Sequence, residues 1–205
     1  MTGSVCGVVL AAGLSTRFEA QADPGKPKQL YRIDGETLVR RVCRVALASH
    51  LAELILVTGH AQRRIAAEVA DLDLRVVHNP RYEDGQSGSV RRGLTAVPAA
   101  ADGAMFLAVD QPGLDTAVID RLLDAFRGHA SIVVPTFRGH RGAPVTFGRL
   151  WFPRLESLRG DHGARPLLAS LAEHIQEVEL DSPAPLEDVD TEAEARSWTR
   201  EAARP

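Results

Sequence analysis

Short apolar runs alternate with amphipathic segments along almost the whole chain, and this alternation restricts the fold more than any other feature. Residues 5–11 (VCGVVLA) and 53–59 (ELILVTG) are nearly continuous apolar runs of strand length. Between them, residues 37–50 place apolar side chains at helical spacing. Strands that alternate with helices in this way are typical of a parallel sheet with crossover helices. The pattern therefore predicts an α/β fold with a twisted, mostly parallel sheet and helices on both faces.

The rest of the chain continues the same pattern. It predicts further strands at 74–79, 103–112, 131–136 and 176–180, and further helices at 61–71, 87–97, 115–127, 162–174 and 191–203. Residues 138–147 (RGHRGAPVTF) look like a small glycine-rich β excursion that returns along a second strand. No repeat, linker or low-complexity segment divides the sequence, so we expect residues 1–205 to form a single domain.

Composition and charge narrow the function classes. The chain is 44% hydrophobic and 25% charged, as soluble globular proteins are. A net charge of -3 without a basic block argues against nucleic acid or an anionic membrane as partner. No apolar stretch reaches the roughly 20 residues that a membrane span needs, and no signal peptide fits. Cys6 and Cys43 suit neither a disulfide framework nor a zinc site, so we expect reduced core thiols in a cytoplasmic protein.

The loop after the first strand has the composition of a phosphate-binding turn. In sheets of this kind, ligands bind outside the carboxyl ends of the strands. Ala11, Ala12 and Gly13 have small or no side chains, so their backbone N–H groups can approach a phosphate closely. Arg17 adds a forked cation that suits phosphate oxygens. Since the loop is neither a Walker A nor a G-x-G-x-x-G motif, a plain strand-to-helix turn explains it about as well.

Polar residues follow three other predicted strands, at 58–59, 79 and 110–112. Asp110 either caps the next helix or binds a metal, and capping is weakened because Asp115 lies nearer that helix. Asp188 and Asp190 either cap the final helix, or one of them pairs with Asp110 as a magnesium ligand.

Two further segments each allow a structural and a phosphate-binding interpretation. Lys26 and Lys28 lie among prolines, in a solvated turn or as a second cation for a polyphosphate. Residues 87–89 (SGS) form an ordinary helix cap, or offer hydroxyls and amides to an anion at a helix N-terminus.

Together these residues resemble the nucleotidyltransferases that activate a phosphorylated substrate with a nucleoside triphosphate. Residues 10–17 (LAAGLSTR) fit the first signature of that group, L-A-A/G-G-x-x-x-R. The chain is most similar to the molybdenum cofactor cytidylyltransferases, and the similarity covers nearly the whole sequence. The later stretches that carry it are 79–94, 110–112, 141–147, 160–165 and 188–191.

The sequence departs from this signature just after Arg17. Phe18-Glu19 stands in place of Met-Gly, and an insertion (EAQADPG) delays the lysine, which we match to Lys28 with Lys26 as the rival. Pro-Lys-Gln at 27–29 also resembles the methylerythritol phosphate cytidylyltransferases, but those lack the Gly-Asp-x-Gly-Ala-Arg segment found here at 160–165.

The resemblance implies a Rossmann-like nucleotidyltransferase domain that transfers CMP from CTP, or the nucleotidyl group of another triphosphate. The acceptor it implies is the terminal phosphate of molybdopterin or of the molybdenum cofactor, and pyrophosphate is released. It implies catalytic roles for Arg17 on the β- and γ-phosphates, Lys28 on the α-phosphate, and Asp110. Magnesium would bind Asp110 and Asp190. Ala12 resembles the cytidylyl branch, because guanylyl-type relatives tend to have glycine there.

The resemblance also implies two sets of binding residues. For the nucleotide they are Leu10, Ala11, Ala12, Gly13, Arg17, Lys28, Thr58, Asn79, Ser87 and Ser89. For the acceptor they are Gln111, Arg141, Gly142, Pro144, Gly160, Asp161, Gly163 and Arg165. Two alternatives stay open. The first is another nucleotidyltransferase of the same fold, which acts on a sugar phosphate or methylerythritol phosphate or is of guanylyl type. The second is a non-catalytic partner that delivers cofactor to a molybdoenzyme or its maturation factor.

Overall fold

The computed structural model describes residues 3–14, 18, 27–161 and 163–202. The strands are β1 (Val5–Ala11), β2 (Arg32–Ile33), β3 (Glu36–Thr37), β4 (Glu53–Thr58), β5 (Arg75–His78), β6 (Gly103–Ala108), β7 (Ile132–Phe137), β8 (His140–Arg141), β9 (Val145–Gly148) and β10 (Ile175–Glu179). The helices are α1 (Leu38–Leu47), α2 (Gln62–Ala67), α3 (Gln86–Leu94), α4 (Thr116–Ala125), α5 (Phe152–Glu156), α6 (Arg165–Ser170) and α7 (Glu192–Ala202).

Eight of the described strands form one sheet, in the order β10-β7-β9-β6-β1-β4-β5, with β8 paired to β7. β1 pairs in parallel with β4 and β6, and β4 pairs in parallel with β5. β9 is antiparallel to both of its neighbours, β6 and β7, while β10 is parallel to β7. The predicted mostly parallel sheet is confirmed, and residues 138–147 form the predicted β excursion through β8 and β9.

Both faces of the sheet are covered by helices, as predicted. Val5 and Val9 of β1 belong to a core cluster that includes residues of α1 and α4. Cys6 and Val8, which alternate with them, belong to a second cluster that includes residues of α3 and α5. Because β1, β4 and β6 are buried on both faces, their apolar runs are nearly continuous, which made them recognisable in the sequence.

Helix α3 lies unusually close to β1. A Cβ atom added to Gly93 would lie 2.5 Å from a methyl carbon of Val8. This contact leaves room only for glycine at position 93.

Several predicted boundaries differ from the structure. The predicted strand at 103–112 ends at Ala108, and the predicted helix at 162–174 contains α6 followed by a short 3₁₀ turn at Ala172–His174. The hairpin of β2 and β3 was not predicted, although its Asp34-Gly35 turn has positive φ angles of 52° and 83° that suit this dipeptide.

The expectation for the cysteines is confirmed. Cys6 and Cys43 are free and buried, and burial raises the pKa of each thiol to about 12. Among the helices of the described residues, none is both long and apolar enough to cross a membrane.

Candidate active site

Lys28 lies between two carboxylates at the carboxyl edge of the sheet. Its Nζ atom donates to Oδ2 of Asp110 at 2.7 Å and to Oδ1 of Asp190 at 2.9 Å. The lysine side chain is only 11% exposed, whereas the Asp110 and Asp190 side chains are 29% and 41% exposed. A buried ammonium is thus paired with two carboxylates that still face solvent. Residues separated by 82 and 162 positions in the sequence meet at this point.

Local structure explains why Asp190 reaches this point. The N–H of Val189 donates to the carbonyl of Asp110 at 2.8 Å, which ties the chain before α7 to the end of the β6 segment. The Thr191 hydroxyl accepts the N–H of Glu194, and the Glu194 carboxylate accepts the N–H groups of Asp190 and Thr191. This reciprocal pair is a capping box for α7. Capping of the last helix therefore falls to Thr191, and the Asp190 side chain turns to Lys28.

Asp188 adds a third carboxyl group to the surroundings of Lys28. Burial raises the pKa of Asp188 to about 6, and the Asp110 carboxylate adds to this effect, although part of the Asp188 side chain remains exposed. Lys28 and a hydrogen bond from Gln111 act in the opposite direction. Gln111 is itself buried, and its Oε1 atom has no hydrogen-bond partner among the described residues.

The first loop lies beside the lysine turn. The side-chain amide of Gln29 donates to the carbonyl of Gly13 at 2.9 Å, and this bond joins the loop to the Lys28–Leu30 turn. Ala12 is buried, Gly13 is exposed, and a Cβ atom on Gly13 would meet nothing within 4 Å. Arg17, which was predicted to bind phosphate, lies outside the described residues.

The predicted residues after β4 and β5 are buried and bonded to one another. The Asn79 side-chain amide donates to the Ser89 hydroxyl at 3.1 Å, and the Asn79 N–H donates to the carbonyl of Thr58 at 2.7 Å. The Thr58 hydroxyl is fully buried and donates to Val77. Ser87 accepts a bond from Arg91 within α3. These buried side chains support the backbone at the carboxyl edge of the sheet.

The N-terminus of α3 is bonded to the segment that precedes α6. Asp161 accepts the N–H of Gln86 at 3.1 Å, and the carbonyl of Gly160 accepts the N–H of Ser87 at 3.2 Å. The sequence allowed an anion site at residues 87–89. The structure disfavours it, because two N–H groups at this helix N-terminus already donate to partners within the chain. Asp161 and Gly160, predicted as acceptor ligands, hold this segment on α3.

An apolar cavity of about 330 Å³ opens at the same edge. Its wall includes the ends of β1 and β6 at Leu10 and Ala108, the predicted residues Arg141 and Gly142, and residues 163–169 with gaps. The Nε atom of Arg141 donates to the Glu177 carboxylate at 2.7 Å, and this bond holds one end of the guanidinium group. Pro144 is buried after a cis peptide bond, and Arg165 is the first residue of α6. Gln86 and Arg141 are the polar residues among those that line this cavity.

The carboxylates fit a divalent cation. Asp110 and Asp190 already converge on one positive charge, and carboxylate oxygens are the hard ligands that Mg²⁺ and Mn²⁺ prefer. Within the described ranges, no group of three or more histidine, cysteine, aspartate or glutamate side chains has the arrangement of a metal site. Magnesium sites of nucleotide-dependent enzymes commonly use one or two carboxylates plus phosphates and water, so two carboxylates are sufficient.

Sequence reasoning missed two contributors to this site. Gln29 follows the matched lysine directly and was given no role, although it ties that lysine's turn to the first loop. Gln86 lines the cavity with its side chain and gives its N–H to Asp161. For Gln86, the available signal in the sequence was the pair of glycines beside this contact, Gly85 and Gly160, which have positive φ angles in the structure.

Several curated proteins are similar in sequence to this chain over most of its length. The purine catabolism protein PucB of Bacillus subtilis is 32% identical over 180 residues, which are 80% of each protein. Nicotine blue oxidoreductase of Paenarthrobacter nicotinovorans is 28% identical over 195 residues, 91% of this chain and 92% of that protein. The bifunctional protein GlmU of Rhodococcus opacus is 31% identical over 152 residues, but the match spans only 29% of its length.

A solved structure shares both fold and sequence. Rv0371c of Mycobacterium tuberculosis, crystallised in complex with manganese, superposes with a TM-score of 0.80 at 30% identity, over 96% of this chain and 98% of that one. The sequence profile described as the MobA-like NTP transferase domain matches residues 7–177. These similarities support an enzyme of the nucleotidyltransferase type. The chain belongs to the MobA-like NTP transferase domain family.

Proposed function

We propose that this chain is a metal-dependent cytidylyltransferase that transfers CMP from CTP to the terminal phosphate of molybdopterin or of the molybdenum cofactor. The observation that carries the proposal is the meeting of Lys28, Asp110 and Asp190 beside the small-residue loop at 11–13. The apolar cavity at the same edge gives a second substrate a place next to this charged cluster.

The reaction needs alignment and charge neutralisation more than covalent chemistry from the protein. An oxygen of the acceptor phosphate attacks the α-phosphorus of CTP, a new phosphoanhydride bond forms, and the bond to the β-phosphate oxygen breaks to release pyrophosphate. Lys28 would donate to the α-phosphate and Arg17 to the β- and γ-phosphates, as backbone N–H groups of the first loop hold the nucleotide. Each of these contacts stabilises the transition state most strongly when negative charge has moved to the leaving pyrophosphate.

Asp110 and Asp190 would hold the divalent metal. When bound, Mg²⁺ would supply positive charge that neutralises the triphosphate oxygens. The manganese complex of Rv0371c supports the use of a divalent metal. In our proposal the carboxylates also fix the side of the triphosphate that faces the acceptor.

We assign the base to the surface formed by Leu10, Ala11, Ala12 and Gly13, supported by Thr58, Asn79, Ser87 and Ser89. The acceptor would enter the cavity past Arg141 and Gly142, with Pro144 and Gly163 shaping the wall and Gln111 at its charged end. In this assignment Gly160 and Asp161 position the wall through α3, and Arg165 binds the acceptor phosphate. A single domain of residues 1–205 in the cytoplasm, with no nucleic-acid or membrane partner, completes the proposal.

A second candidate is a nucleotidyltransferase of the same family with another acceptor, such as a sugar phosphate or methylerythritol phosphate, or with GTP as donor. The names of the curated relatives favour keeping it, because a purine catabolism protein and a nicotine blue oxidoreductase both align with most of this chain and neither is named for a molybdenum cofactor. Delivery of cofactor to a molybdoenzyme or its maturation factor would be an additional role.

The test is a matrix of four triphosphates against molybdopterin, molybdenum cofactor, a sugar phosphate and methylerythritol phosphate, with pyrophosphate release as readout and Mg²⁺ or Mn²⁺ present. We expect turnover with CTP and a pterin acceptor. Turnover only with another acceptor or only with GTP would replace the proposal by the second candidate. Copurification with a molybdoenzyme but no pyrophosphate release from any pair would identify a delivery partner instead.

A further inference from the structure

Lys28 occupies the position that the proposed metal would need. Its ammonium lies within 2.9 Å of one oxygen from each of Asp110 and Asp190, with a side chain that is only 11% exposed. A divalent ion bound to the same two oxygens would lie next to that ammonium. Two neighbouring cations repel each other strongly where water is partly excluded. We therefore expect the lysine and the metal to compete for these two oxygens.

Lysine is a rare residue in this chain. The chain has 24 lysines and arginines, and only Lys26 and Lys28 are lysines. Elsewhere in the described residues, the ion pairs with carboxylates use arginine or histidine, as in Arg40–Asp71, Arg121–Asp181 and His129–Asp102. An arginine would bind the two aspartates through its rigid planar fork, whereas a lysine presents a compact charge on a flexible stem. Lys28 therefore gives the carboxylate pair a cation that can change partners.

The backbone around Lys28 is fixed, which confines the movement to the side chain. The N–H of Leu30 donates to the carbonyl of Pro27, and the N–H of Tyr31 donates to that of Lys28, both at 2.9 Å. Gln29 anchors the same turn to Gly13. Rotation of the four-carbon stem can move the ammonium away from the carboxylates, and the Gln29–Gly13 bond places the first loop, where we place the triphosphate, beside the same turn.

We infer that Lys28 is a placeholder cation, which neutralises Asp110 and Asp190 until a triphosphate draws its ammonium away and the divalent metal replaces it. The inference rests on the proposed function, which places the metal on these aspartates. Its consequence is thermodynamic coupling: nucleotide strengthens metal binding, and by linkage the metal strengthens nucleotide binding by the same factor. Metal without nucleotide has to compete with an internal cation.

The test measures Mn²⁺ binding by electron paramagnetic resonance, with and without a non-hydrolysable α,β-methylene analogue of CTP. The proteins are the wild type, Lys28→Met, Lys28→Arg and Asp110→Asn. An opposite charge within about 4–6 Å changes the proton affinity of a carboxylate by about 10- to 1,000-fold, so we expect Lys28→Met to bind Mn²⁺ alone at least about tenfold more tightly than the wild type. Lys28→Arg keeps the charge and should bind Mn²⁺ alone as weakly as the wild type.

The coupling gives a second readout that does not depend on activity. The analogue should tighten Mn²⁺ binding to the wild type, after subtraction of Mn²⁺ held by free analogue, and this tightening should largely disappear in Lys28→Met. Thermal unfolding checks the fold, and Mn²⁺ should raise the Tm of Lys28→Met more than that of the wild type. If Lys28→Met does not fold, Lys28→Gln replaces it in the same measurements.

The outcomes separate this inference from the proposed function. Equal affinity of the wild type and Lys28→Met for Mn²⁺ alone overturns the placeholder role, while a loss of Mn²⁺ binding in Asp110→Asn keeps the proposed metal site. If Asp110→Asn binds Mn²⁺ with the analogue as well as the wild type does, the metal does not use Asp110, and both the inference and that part of the proposed function are rejected.

Discussion

Gly85 and Gly160 are in direct backbone contact, although 75 residues separate them. A Cβ atom on Gly85 would lie 2.7 Å from both the carbonyl carbon and the carbonyl oxygen of Gly160. Gly85 has a φ angle of +98° and Gly160 of +72°. The contact brings the N-terminus of α3 against the segment that forms one wall of the cavity. Two positions that lack side chains thus join the two parts of the candidate site.

We expect Gly85→Ala to destabilise the protein more than Gly128→Ala. Gly128 has nearly the same φ angle, +99°, but a Cβ atom there would meet nothing within 4 Å. Both changes carry the cost of a left-handed conformation, and only Gly85→Ala adds a clash with backbone, at about 1–3 kcal/mol. Urea unfolding of both variants measures the difference. Equal losses of unfolding free energy would show that the contact with Gly160 is not tight in solution.

Asp110→Ala should reduce metal-dependent pyrophosphate release by about 10²–10³-fold, the usual cost of losing one well-placed charged contact. The matched control is Asp115→Ala, a few residues further along. Asp115 caps α4 by accepting the N–H of Val118 at 2.8 Å, so its loss should cost about 1 kcal/mol of stability and leave the rate unchanged. Full activity of Asp110→Ala would exclude this residue from the reaction.

Arg141→Ala should raise the KM for the acceptor and change the KM for CTP little, because Arg141 lines the cavity and not the first loop. The control is Arg121→Ala, which removes an exposed ion pair with Asp181 of 2.8 Å that contributes about 0–1 kcal/mol to stability. Steady-state kinetics with each substrate varied in turn gives the split. An equal rise in both KM values would contradict a specific role at the acceptor.

The pair of Asp102 and His129 predicts a pH dependence of stability away from the site. A hydrogen bond from His129 at 2.7 Å, together with the N–H of Ser4, lowers the pKa of Asp102 below its ordinary value of 3.8. Because the folded state holds the ionised carboxylate more strongly than the unfolded state does, this stabilisation is present above pH 3.8 and is lost as the pH falls through the lowered pKa.

We therefore expect Asp102→Asn to be less stable than the wild type between pH 5 and 7, as measured by urea unfolding. The difference should shrink as the pH falls below about 4. Asp124→Asn, which changes an exposed carboxylate on α4, is the control and should show little difference at either pH. A difference for Asp102→Asn that is the same at all pH values would attribute the effect to packing.

The sheet could be predicted from the sequence because each of its inner strands is a local apolar run. β1, β4 and β6 are buried on both faces, so periodicity alone located them. The ends of elements were less predictable, since they depend on tertiary contacts. The end of β6 at Ala108 and the division of the predicted helix at 162–174 are examples.

The candidate site was less accessible to such reasoning. Residue types marked Lys28, Asp110 and Asp190, but their meeting at one point depends on long-range pairing that no local pattern encodes. The capping of α3 by Asp161 is similar, because an aspartate 75 residues away replaces the local cap that the sequence suggested. A side chain near a predicted site can serve as structural support, and only the folded chain distinguishes this from ligand binding.

The reversed direction of β9 has a consequence beyond the fold. Because β9 is antiparallel to β6, the 141–144 segment, which precedes β9, lies at the same edge of the sheet as the end of β6. The parallel ladder of β6, β1, β4 and β5 carries the first loop, and Arg141, Gly142 and Ala143 of the reversed segment line the cavity against the ends of β1 and β6. Changes in the reversed segment can reshape the cavity without altering the parallel pairing of these strands. A chain organised in this way can acquire a new second substrate during evolution while it keeps the apparatus for the first.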